Sequence, residues 1–161
     1  MPSELPASVT PTPTTPVVDL VDVRGPRFAA WATTTVLVAV LVVSIFSIPV
    51  ALVLLAVQTV VFALGAALGP RRSPYGRLYA VLVAPLLGPV TEREPVAPLR
   101  FAQAVGFAFA AAGLVSYLSG APTLGVVFVA FALFAALLNA AFGICLGCQI
   151  YPLVLRIRSG A

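Results

Sequence analysis

Histidine and lysine are both absent from this chain of 161 residues. Without histidine there is no commonest general base and no commonest transition-metal ligand, and without lysine no Schiff base can form. Charge of either sign is scarce. Charged residues make up 9% of the chain, against about 25% in soluble domains. The five acids are Glu4, Asp19, Asp22, Glu92 and Glu94, and none lies inside an apolar run. That excludes a membrane-buried carboxylate pair for proton relay or glycoside chemistry. All nine basic residues are Arg, and the net charge is +4. They lie in connecting segments, without a basic helix or an aromatic-basic platform. Their expected counterpart is an anionic lipid surface, with no nucleic-acid partner.

What the chain has instead is apolar sequence, 61% of its residues, with a mean hydropathy of +1.11. Too little polar surface remains to cover a water-soluble globule. The expected class is an all-α integral membrane protein embedded in a lipid bilayer.

Residues 1–18 are rich in Pro, Thr and Ser without periodicity and are expected to be a disordered tail. Residues 19–158 are expected to form one membrane domain. Spans are expected at about 28–48, 50–68, 101–118 and 124–146. Turns fall at Ser47-Ile48-Pro49 and at 119–123. The fourth apolar run continues past its span, through the cysteines, to about Leu155. Between the hairpins, the apolar part of the segment at about 77–90 is short and is cut by Pro85 and Pro89. Such a segment is expected to lie along the interface, anchored by Tyr75, Arg77 and Tyr79. Ala102, Gly106, Ala110, Gly113 and Tyr117 form a small-residue stripe that invites a close helix neighbour.

The two short turns contain no charge. Every Arg lies in the N-terminal lead-in, the 69–100 segment or the C-terminal segment. Four spans place those three regions on one side, and the positive-inside rule names it the cytoplasm. A repeat agrees with this. Arg27-Phe28-Ala29-Ala30 resembles Arg100-Phe101-Ala102-Gln103, and Leu64 to Gly69 resembles Leu138 to Gly143. Two hairpins of like orientation follow.

Cys145 and Cys148 are the only cysteines and are spaced C-x-x-C. Placed on a continuing fourth helix, they sit at its cytosolic end with their Cα atoms about 5 Å apart, within disulfide reach. Pro152 removes the N–H that would bond the Cys148 carbonyl and is expected to loosen the helix there. Gly143 and Gly147 allow close approach nearby. A helix C-terminus disfavours a thiolate, the reverse of the thioredoxin arrangement, so activation would need a cation from Arg71, Arg72, Arg77 or Arg156. Cys145 and Cys148 are the candidate redox dithiol, expected as free thiols in a reducing cytosol. Buried packing thiols are the plain alternative. Zinc would need two further ligands from a second copy, whereas copper(I) could accept two thiolates. Asn139 is expected to hydrogen-bond a neighbouring helix.

VDVRGPRFAA, GPRRSPYGRLY, APLRFAQAVG and LNAAFGICLGCQIY resemble the uncharacterised membrane family called domain of unknown function 4395. The resemblance covers about residues 18–158. It implies a four-helix bacterial inner-membrane protein, often encoded beside thioredoxin-like and sulfurtransferase proteins, with no established activity or cofactor. Three functions remain. One is a thiol-redox or sulfur-handling protein with a thioredoxin-like or sulfurtransferase partner. The others are a small transporter of a sulfur species or metal, and a structural membrane subunit.

The arginine distribution generates a topology test. A reporter fused after Arg158 is expected to be active in the cytoplasm only, and activity outside the cell would reverse the orientation.

Overall fold

The structure is a computed structural model and describes residues 19–159; the expected tail at 1–18 lies outside them. Four helices are long and apolar enough to cross a membrane: α1 (Arg24–Ser44), α2 (Ile48–Leu68), α4 (Val96–Leu118) and α5 (Pro122–Phe142). Twenty-one residues rise about 32 Å, against roughly 30 Å of hydrocarbon. The all-α membrane fold is therefore as expected. Two shorter helices, α3 (Pro74–Leu82) and α6 (Leu146–Ser159), are too short to cross. A two-stranded antiparallel ribbon joins β1 (Leu20–Asp22) to β2 (Arg93–Pro95), with Val21 opposite Glu94.

Prolines explain most of the shifted helix boundaries. α1 begins four residues before the expected Phe28, because Pro26 fits a first turn, where its missing N–H costs nothing. Pro49 likewise enters the first turn of α2, so the connecting turn falls at residues 45–47. α4 begins at Val96, with Pro98 in its first turn. The largest correction is to the fourth span. It does not run to residue 146 and through the cysteines but stops at Phe142, where Gly143 takes a left-handed conformation at φ 68°.

Within the hairpins α1 packs on α2 and α4 on α5; between them α2 packs along α4 and α1 along α5. This closes a four-helix ring. Its half nearest the short turns is tightly filled by Leu37, Val40, Ala51, Leu55, Ala110 and Val129, all fully buried. The small stripe on α4 serves three neighbours rather than one. Gly106 takes the Phe62 ring of α2, Gly113 faces Val129 of α5, and Ala102 meets Gly147 of α6.

The other end carries the polar structure. Asp22 pairs with Arg24 at 3.4 Å and accepts from the Tyr79 hydroxyl at 3.1 Å. Arg24 donates to the Gly88 and Pro89 carbonyls, and Arg71 donates to that of Leu20. The lead-in, α3 and the segment before α4 thus form one surface. Tyr75 and Tyr79 do not serve as outward anchors. Tyr79 is buried against Phe28, and Tyr75 donates inward to Gln58 at 2.7 Å. Burial first, then the hydrogen bond and charge of Asp22, push the Tyr79 phenol up, with Arg24 opposing. It therefore remains a donor at ordinary pH. Arg77 is exposed, as are Val81, Leu82 and Leu86.

The two repeated motifs meet crosswise. Arg100, at the start of α4, donates from Nε and Nη2 to the Ala66 and Ala67 carbonyls at the end of α2, both at 2.8 Å. Arg27, at the start of α1, lies against Gly143 at the end of α5. Each hairpin thus supplies an arginine to the helix end of the other. A cation there complements the negative helix terminus.

Replacing Arg100 by Ala is expected to lower stability by about 1–2 kcal/mol, as two charge-assisted bonds are lost, with Arg100→Lys recovering part of it. Thermal denaturation in detergent measures both.

Candidate functional site

Gly143 decides the local structure around the cysteines. Its N–H bonds the Asn139 carbonyl at 3.1 Å, and the Ile144 N–H bonds that of Leu138 at 3.2 Å. These bonds occupy two carbonyls in the last turns of α5 and end it, as a left-handed glycine does. The place where a Gly143 Cβ would project is filled by the Arg27 guanidinium. After Ile144 the chain starts again as α6, and its first helical bond runs from the Gln149 N–H to the Cys145 carbonyl at 3.1 Å.

Cys145 therefore sits immediately before α6, and Cys148 is its third residue. The pair stands at a helix N-terminus, not at the C-terminal end that a continuous fourth helix would give. The electrostatic consequence reverses as well. The unpaired N–H groups of a first turn favour negative charge on sulfur. The Cys148 N–H donates to Cys145 Sγ at 3.3 Å, the contact expected of a capping acceptor. Cys145 and Cys148 are joined by a disulfide, with Cα atoms 5.2 Å apart. The separation matches the sequence expectation, although it arises at a helix start. The bonded form is the oxidised partner of the free thiols expected in the cytosol.

Arg71 serves the β1 end through Leu20 and Asp19, while Arg72, Arg77 and Arg156 are exposed. The cation against Gly143, which stands two positions before Cys145 in the chain, is Arg27, and the sequence expectation did not name it. It also faces Glu94, whose carboxyl burial pushes up, Arg27 lowering it and Glu92 raising it further. The RFAA/RFAQ repeat was the available signal, since it gives Arg27 the station that Arg100 holds at Gly69.

Pro152 lies inside α6, which continues through it. The proline still leaves the Cys148 carbonyl without a helical donor. Gly147 does permit close approach: a Cβ there would fall 2.6 Å from Ala102 Cα. Phe101 and Tyr151 meet alongside at a tilt of 54°, their ring centroids 5.8 Å apart. These contacts fasten α6 to the start of α4.

Behind the disulfide, the half of the ring opposite the short turns is hollow. A cavity of about 350 Å³ lies between α1, α4, α5 and α6, and Cys145 forms part of its wall. Small residues such as Ala29, Ala102, Ala132 and Ala135 make the space. Four polar side chains, Thr33, Ser73, Gln103 and Asn139, share the lining. Among the described residues Asn139 makes no side-chain bond to a neighbouring helix, contrary to expectation, and it lines this cavity.

The family model described as Domain of unknown function (DUF4395) matches residues 21–156. No curated protein and no solved structure matches the chain.

Gly143→Ala is expected to cost about 1–2 kcal/mol for the left-handed conformation alone, with a further loss as Arg27 is displaced. Gly143→Asn, which tolerates that conformation better, is expected to melt above Gly143→Ala in detergent.

Proposed function

The chain belongs to that family, to which no activity is assigned, and we propose that it is a thiol-disulfide exchange protein of the bacterial inner membrane. Both termini and the cysteine pair face the cytosol in this proposal, and its partner is a thioredoxin-like or sulfurtransferase protein. The observation that carries it is the C-x-x-C pair, disulfide-bonded at the N-terminus of α6. Packing alone would not require the two sulfurs to lie within bonding distance at a helix start. The arginines clustered at one end of the ring support the cytosolic orientation.

The placement assigns separate roles. An incoming partner thiolate attacks Cys148 Sγ. A sulfur–sulfur bond forms between Cys148 and the partner, and the Cys145–Cys148 bond breaks. Cys145 leaves as the thiolate, because the first turn of α6 and the Cys148 N–H stabilise its charge, and the better-stabilised thiolate leaves faster. A second thiolate on the partner then attacks the partner sulfur bound to Cys148 and releases Cys148. The partner ends as a disulfide and the chain as a dithiol, so two electrons have moved onto the chain.

Cys145→Ser is expected to accumulate a mixed disulfide through Cys148, and Cys148→Ser to accumulate little. Non-reducing electrophoresis of membranes, with mass spectrometry of the adduct, reads this. No adduct in either variant, with normal growth of the double mutant under oxidative and sulfur stress, would leave packing as the role of the cysteines.

A further inference from the structure

A dithiol produced by exchange must pass its electrons on before the next cycle, and the cavity adjoins the sulfur that leaves. We infer that this cavity binds a quinone, and that the quinone is the electron acceptor of the cysteine pair. The inference rests on the exchange reading of Cys145 and Cys148.

Three observations lead there. The first is size and character. A volume of about 350 Å³ lies at the lower end of the roughly 300–1,000 Å³ of small-molecule sites, and the walls are mostly apolar. A flat ring delivered from the bilayer fits such a space, whereas a polypeptide does not. The second is unspent hydrogen bonding. The side chains of Gln103 and Asn139 are half-buried and make no hydrogen bond among the described residues. An amide without a partner among apolar spans is costly. Their N–H groups suit the carbonyl oxygens of a quinone. The third is a directed chain of hydrogen bonds. Tyr75 donates to Gln58 Oε1 at 2.7 Å, and Gln58 Nε2 donates to Thr33 Oγ1 at 3.5 Å. Gln58 is fully buried and fixed from both sides. Because Thr33 Oγ1 accepts from Gln58, its own O–H is left to donate at the cavity wall. Donors around an apolar slot select an apolar ligand bearing acceptors, and the adjacent sulfur requires one that can be reduced.

The step balances. The Cys145 thiolate adds to a ring carbon of the quinone, forming a carbon–sulfur bond. The Cys148 thiolate attacks Cys145 Sγ, forming the disulfide and breaking the carbon–sulfur bond, whose electron pair stays on the ring. The two protons released by the thiols go to the two ring oxygens, giving the quinol. The sulfurs lose two electrons, and the quinone gains two. The 5.2 Å Cα separation keeps Cys148 within reach throughout.

The test uses the full chain in lipid nanodiscs and a decyl-substituted benzoquinone. Binding is measured first on the Cys145→Ser/Cys148→Ser double variant, which cannot exchange electrons. Saturable binding is expected, weakened about tenfold by Asn139→Leu and by the cavity-filling Ala135→Phe, each shown by melting to be folded. Thiol counting on the reduced wild-type chain should then show two thiols lost per quinol formed. No saturable binding, or equal affinity for a decyl-trimethylbenzene without carbonyls, overturns the proposal and leaves exchange with a thioredoxin-like protein standing. Binding to the double variant without thiol loss in the wild type removes the quinone as acceptor. Loss of partner trapping together with intact quinone binding instead places the failure in the exchange reading.

Discussion

A backbone carbonyl or N–H inside hydrocarbon must find its partner within the protein, because lipid offers none. That constraint is sharpest where helices end. At the short-turn end the chain meets it cheaply, with three-residue links and first-turn prolines. At the other end α2 and α5 finish while α1 and α4 begin, and the terminal carbonyls need donors. Arg100 supplies two of them to α2, and glycine geometry serves α5 with Arg27 beside it. The arginines are therefore structural at the same positions where they report orientation.

The same demand explains why the ring is packed unevenly. Large aliphatic side chains fill the half near the turns, where nothing but helix–helix contact is required. In the other half small residues dominate, and Gln103 and Asn139 are among the polar groups that line a space. α6 covers one side of this space through Gly147 and Tyr151. The disulfide thus lies at the edge of this hollow, with Cys145 in its wall.

Hydropathy alone made the four long helices legible, since runs of about twenty apolar residues have few other uses. Their starts were not legible to the residue, because Pro26, Pro49 and Pro98 mark breaks in a pattern yet fit a first turn equally well. The cysteine spacing was visible, but its setting was not. Apolar sequence runs unbroken from Leu124 past Cys148, and only the handedness of one glycine divides it. Gly143 matched Gly69 in the repeat, and Gly69 was already a helix stop. Giving that correspondence more weight than the hydropathy run would have found the break. The pairing of β1 with β2 and the inward turn of Tyr79 depend on contacts between segments 50 or more residues apart, and that of Tyr75 on a contact with the preceding helix, none of which a local pattern encodes.

The attachment of α6 to α4, rather than to its sequence neighbour α5, bears on the order in which the molecule is made. α6 follows the four long helices off the ribosome, yet its Leu146, Gly147 and Ile150 form one side of the cavity. Both hairpins can be threaded into the bilayer and docked on each other while that wall is still missing. Until Gly147 docks onto Ala102, the hollow lacks that side along the flank of α4. A chain halted before Leu146 would therefore keep the frame of four long helices and lose one side of the hollow.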